Sequence, residues 1–123
     1  MKLSRAEEQL MDIIWKREKV FLKDILDDYP EPKPAATTVA TFLKRMQNKG
    51  VIAYNLFGNS REYYPLVPKD DYFTKHLNNI VRDFFGNSAL QFASFFTTAG
   101  NLSTEELEDL KKIIEQEIKR KRQ

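Results

Sequence analysis

The chain has 123 residues, of which 41% are hydrophobic and 31% charged, and carries a formal net charge of only +2. That is the composition of one folded domain or two small ones, and it excludes both a disordered chain and one that coats nucleic acid by total charge alone. No cysteine is present, which removes disulfides, thiolate metal sites and cysteine nucleophiles together.

Ser4-Arg5-Ala6-Glu7 has the pattern of a capping box. Behind it Ala6, Leu10, Ile13 and Ile14 keep helical spacing, with Trp15 as a large anchor, so a helix is predicted to end near Arg17. Lys19-Val20-Phe21 reads as a short strand. Leu22 to Asp28 reads as a short helix burying Ile25 and Leu26. Pro30, Pro32 and Pro34 then leave no continuous amide ladder. A third helix is expected over residues 35–49, with Pro34 in its first turn and Gly50 just past its end.

That third helix has two different faces. Val39, Phe42, Leu43 and Met46 recur at i, i+3, i+4, i+7 and form an apolar stripe. Opposite stand Thr37, Thr41, Lys44 and Asn48, flanked by Thr38 and Arg45, with no acid among them. Hydroxyls, an amide and cations suit phosphates and base edges. A hairpin over residues 52–66 follows, turning at Gly58-Asn59-Ser60 with Arg61 at its tip. Helix, short helix, helix and hairpin inside residues 1–68 is the order of a winged helix-turn-helix. Thr37, Thr38, Thr41, Lys44, Arg45, Asn48 and Arg61 are therefore the candidate set for duplex DNA. Tyr54, Tyr63 and Tyr64 fall on strands and read as packing residues rather than a platform for single strands.

Residues 69–123 read as helices alone. Phe73, Leu77, Ile80, Val81 and Phe84 form one stripe. Ala89, Phe92, Ala93 and Phe96 form a second, with Leu90 and Phe95 beside it. Ser103 and Glu106 repeat the capping box, Leu102 faces Leu107 as a staple, and Leu107, Leu110, Ile114 and Ile118 continue the pattern. Lys119 to Arg122 place positive charge at the negative end of the last helix. Three short helices cannot bury this much apolar surface among themselves, and a second copy is the simplest cover. Phe84, Leu90, Phe92, Phe95, Phe96, Leu107, Leu110 and Ile114 are the candidate dimerisation residues. Folding back onto the N-terminal part is the competing arrangement.

The expected fold is mainly α with a small β-hairpin wing: a winged helix-turn-helix and a C-terminal helical dimerisation region. His76 is the single histidine, so no Ser/His/Asp or histidine-rich metal constellation can form. The glycines are scattered and make no phosphate-cradling loop. No enzyme activity, metal or cofactor is expected. No apolar run approaches a membrane span, and Met1-Lys2-Leu3-Ser4 has no apolar signal-peptide core. A cytoplasmic protein with no membrane partner is the expectation.

With these residues in view, the chain resembles penicillinase repressors of the BlaI/MecI type over nearly its whole length. Ser4 to Trp15, Thr38 to Met46 with Lys49-Gly50, and Glu62 to Val67 carry the likeness. The resemblance implies a homodimeric transcriptional repressor that holds a palindromic operator through its N-terminal domains and pairs through its C-terminal helices. It also implies an antibiotic-resistance or stress setting, with induction by a sensor-linked protease cutting within about residues 87–97. Studied relatives are cut at an Asn-Phe bond, which this sequence lacks; Gln91-Phe92 and Ser94-Phe95 are the substitutes on offer. Copper sensing through C-terminal cysteines, used by one branch, is ruled out. The alternatives are a winged-helix adaptor for other proteins and a regulator with a small ligand beside Phe92, Phe95 and Phe96.

Overall fold

A computed structural model describes residues 2–123. Six helices and three strands follow in the order α1 (Arg5–Arg17), β1 (Val20–Phe21), α2 (Leu22–Asp28), α3 (Ala36–Asn48), β2 (Ile52–Phe57), β3 (Ser60–Pro65), α4 (Lys69–Phe84), α5 (Ala89–Ala99) and α6 (Thr104–Lys121). They fall into two compact units, the first reaching Thr74 and the second running from Lys75 to Gln123. No described helix is long and apolar enough to cross a membrane.

α1 starts where its capping box dictates. Ser4 Oγ accepts from the Glu7 amide at 3.1 Å, and the Ser4 amide donates to Glu7 Oε1 at 2.8 Å, so two orphan amides are satisfied reciprocally. The helix ends at an unusual turn. The Lys19 amide bonds the Arg17 carbonyl at 2.7 Å across Glu18, which has φ +67° and ψ −41°. That is a three-residue γ-turn at a non-glycine residue, a strained conformation.

α3 occupies 36–48, one residue shorter at each end than the expected 35–49, because Ala35 and Lys49 are caps. Pro34 thus lies ahead of the cap rather than in the first turn. At the far end the Gly50 amide bonds the Gln47 carbonyl and the Val51 amide bonds the Met46 carbonyl. With Gly50 at φ +75°, this is a Schellman closure, and Val51 and Met46, both buried, accompany it.

The sheet has the order β1-β3-β2, antiparallel throughout. β2 pairs with β3 from Ile52↔Pro65 to Phe57↔Ser60, which leaves Gly58-Asn59 as a two-residue turn. Gly58 takes φ +62° there, a conformation that glycine adopts without a Cβ penalty. The expected third strand pairs Val20 with Tyr63. One apolar cluster joins these elements: Leu10, Met11 and Ile14 of α1, Ile25 of α2, Val39, Leu43 and Met46 of α3, and Ile52 of β2 are fully buried. Burial contributes about 1.5–3 kcal/mol for each such aliphatic side chain.

The first unit extends past Pro68 because the start of α4 is tied into it. Tyr72, which the Phe73–Leu77 stripe leaves out, is buried. Its hydroxyl donates to Glu8 Oε2 at 2.7 Å and accepts from the Leu3 amide at 3.3 Å. Its ring lies 5.8 Å from Trp15, whose Nε1 donates to the Val67 carbonyl at 2.8 Å. In the second unit, Phe85 sits 5.4 Å from Phe92 and 5.3 Å from Phe95. Neither α5 nor α6 buries a residue.

Candidate nucleic-acid interface

The apolar stripe of α3 fixes which face looks outward. Val39, Leu43 and Met46 are anchored in the core, so Thr37, Thr38, Thr41, Lys44, Arg45 and Asn48 are all exposed. Helical spacing places Thr37, Thr41, Lys44 and Asn48 in one row, with Thr38 and Arg45 alongside.

Two further features aim this face. At the C-terminal end of α3, Lys49 Nζ donates to Glu7 Oε1 at 2.6 Å and to the Lys2 carbonyl at 3.3 Å. This pins the end of α3 to the start of α1 through a carboxylate that is 2% exposed. Burial pushes the Glu7 carboxyl upward, but the hydrogen bonds from Lys49 and Ser4 outweigh it and hold the group below its ordinary range. Ahead of α3, Lys33 Nζ donates to the carbonyls of Leu26, Asp27 and Tyr29 at 3.0, 2.9 and 2.7 Å. It therefore satisfies the carbonyl end of α2, complements that helix's dipole and shapes the turn into α3.

The electrostatics separate structural cations from available ones. Lys16, Arg17, Lys49, Lys69, Arg82 and Arg120 each form an ion pair with a carboxylate. Among the described residues Lys44 and Arg45 have none, so their charge is directed at solvent. Thr41 differs from its neighbours. Its hydroxyl donates to the Thr37 carbonyl at 3.0 Å, which leaves its oxygen free to accept a further bond. The N-cap Ala35 makes no side-chain bond to the first turn of α3, and amides so placed suit a phosphate.

Arg61 is the second residue of β3, one step inside the tip where the sequence puts it. Its guanidinium carbon lies 4.4 Å from the centre of the Tyr54 ring. Sequence reasoning assigned Tyr54 a packing role and missed this stack. The signal was available: a two-residue turn at Gly58-Asn59 pairs Leu56 with Arg61, and Tyr54 is then the diagonal neighbour of Arg61 on the same sheet face. The Glu7–Lys49 and Lys33 interactions were also missed; their polar partners are far apart in sequence or are backbone carbonyls, which side-chain periodicity does not reveal.

The candidate dimerisation residues all belong to the second unit. Leu90 is 80% and Phe84 78% exposed, and Phe95, Phe96, Leu107 and Ile114 are exposed as well. Phe92 and Leu110 are partly covered. Among the described residues, no group of histidine, aspartate or glutamate could hold a metal ion.

Known proteins match this arrangement. The family model for the penicillinase repressor matches residues 3–116. The penicillinase repressor of Bacillus licheniformis is 24% identical over 122 residues, which is 98% of this chain and 95% of that protein. The methicillin resistance regulatory protein MecI of Staphylococcus aureus (strain N315) is 26% identical over 113 residues, covering 91% of this chain and 92% of its own length. The solution structure of the DNA-binding domain of the repressor BlaI superposes with a TM-score of 0.52 at 25% identity, covering 58% of this chain and 88% of that one.

Proposed function

The chain belongs to the penicillinase repressor family, and on that premise we propose that it is a homodimeric transcriptional repressor that holds a palindromic operator with two copies of α3 and its wing. That it is a DNA-binding repressor rather than an enzyme follows from the family and from its likeness to the BlaI DNA-binding domain. The finer reading rests chiefly on one observation. α3 presents an acid-free outer face on which Lys44 and Arg45 lack any internal carboxylate partner.

In this reading the exposed threonines and Asn48 lie toward base edges, where Thr41 offers a methyl for thymine. Lys44, Arg45 and Arg61 lie toward phosphates. Few of these groups make the bidentate contacts that discriminate strongly between bases, so specificity depends on two copies at a fixed spacing. Pairing is assigned to Phe84, Leu90, Phe92, Phe95, Phe96, Leu107, Leu110 and Ile114. The exposure of six of them, all but Phe92 and Leu110, supports it, because exposed apolar surface of this kind marks an interface. The repressor works in the cytoplasm on resistance or stress genes. It is released when a sensor-linked protease cuts within residues 87–97, at Gln91-Phe92 or Ser94-Phe95.

The test is binding to duplex DNA from the chain's own upstream region, titrated against salt. Removing one cation from a phosphate lowers the slope of log affinity on log salt by about 0.9. The Lys44→Ala/Arg45→Ala double variant is expected to weaken binding and flatten that slope by about 2 with unchanged thermal stability. Wild-type affinity and slope in the double variant would remove α3 from the interface.

A further inference from the structure

The wing carries an arrangement that the assignment of Arg61 alone does not explain. Tyr63 is 7% exposed and belongs to the core. Tyr54 stands directly opposite it across the strands, with ring centres 5.8 Å apart and planes at 56°. Arg61 then lies over the Tyr54 ring at 4.4 Å. An exposed cation is thus tied to the buried core through two aromatic rings.

An arginine on a hairpin often stabilises it through a carboxylate across the strands. Here Leu56 occupies the position opposite Arg61, and the adjacent Glu62 alternates to the other face, opposite Asn55. Arg61 has no ion pair among the described residues. A guanidinium lying on a ring uses its flat face for the stack and keeps its in-plane N–H edge for an anion such as phosphate.

We infer that Tyr54 is a positioning residue for DNA binding, its ring holding the Arg61 guanidinium in place for the phosphate backbone beside the wing. The inference rests on the reading of the chain as a duplex-DNA binder. A free arginine loses rotamer freedom when it binds, whereas one already stacked has lost much of it beforehand. Tyr54 therefore raises affinity without touching DNA.

The experiment measures binding of the full-length chain to a duplex from its upstream region by fluorescence anisotropy across a salt series. Arg61→Ala is expected to weaken binding and reduce the salt slope by about 0.9. Tyr54→Leu should weaken it about two- to fivefold, while Tyr54→Phe, which keeps the ring, binds like wild type. The Tyr54→Leu/Arg61→Ala double variant should bind no more weakly than Arg61→Ala alone. Fully additive effects, or a Tyr54→Leu variant that is folded and binds normally, would overturn the inference.

Because Tyr54 packs beside the core, the wild-type chain is also followed by NMR. Arg61 side-chain protons should show an upfield ring-current shift that persists in the DNA complex, and its disappearance on binding contradicts the assignment. If wild type binds the duplex but Arg61→Ala changes nothing, the positioning role fails while α3 keeps its place. If wild type binds no duplex at any salt, the DNA-binding reading itself fails.

Discussion

Leu10 lies in the apolar stripe of α1 and Leu90 beside that of α5, yet Leu10 is 0% exposed and Leu90 is 80% exposed. The contrast extends across the two units. In the first, three helices and a small sheet close around one core, and even the cations at its joints have partners. In the second, α5 and α6 carry apolar residues at helical spacing but bury no residue. A periodic stripe thus shows that a helix has an apolar face without showing what covers it. The first unit has its cover within its own chain. The second exposes surface that a soluble monomer rarely leaves open.

The same substitution at the two leucines should separate these environments most strongly. Leu10→Ala leaves a cavity in the core and is expected to cost about 2–5 kcal/mol, seen as a large drop in the denaturation midpoint of the first unit. Leu90→Ala should leave that midpoint unchanged and weaken self-association instead. Equal effects on the first unit's unfolding would erase the distinction.

A smaller effect concerns the buried joint between α1 and α3. The Glu7 carboxyl is held below its ordinary value of 4.5 in the folded chain, so the stability it contributes is fully present above that value. It is lost as pH falls through the lowered folded value. Melts from pH 6 down to about pH 3 should show the first unit losing stability, and Glu7→Gln should flatten that loss. An identical pH profile in the variant would mean that the Glu7–Lys49 pair adds nothing. The exposed pairs of the second unit, Arg82–Asp83 and Arg120–Glu117, should matter little by comparison.

The smallest expected change is a gain. Glu18 holds φ +67° between α1 and β1, where a residue without a Cβ is less strained. Glu18→Gly should therefore raise the stability of the first unit by up to about 1 kcal/mol in chemical denaturation. A loss of stability would show that the Glu18 side chain contributes more than its backbone strain removes.

Much of this was legible in the sequence because it depends on local rules. Both capping boxes, at Ser4–Glu7 and Ser103–Glu106, form as read, since each needs only residues three apart. The helices from α1 to α3, strand β1 and the hairpin follow from periodicity, proline placement and the Gly58 turn. The outward face of α3 follows from its stripe. Long-range interactions were not legible: Tyr72 reaching Leu3 and Glu8, Lys49 reaching Glu7, and Lys33 gathering three carbonyls depend on tertiary placement. The Tyr54–Arg61 stack falls between these cases, since it becomes visible once the hairpin register is drawn.

The proposal that links the two units is that the open apolar surface of the second pairs two copies of the first. Sedimentation of the full-length chain at micromolar concentration, alone and with duplex DNA from its upstream region, tests this most directly. A species of twice the chain's mass that places two chains on each duplex is expected. A monomer that binds one chain per duplex would contradict it.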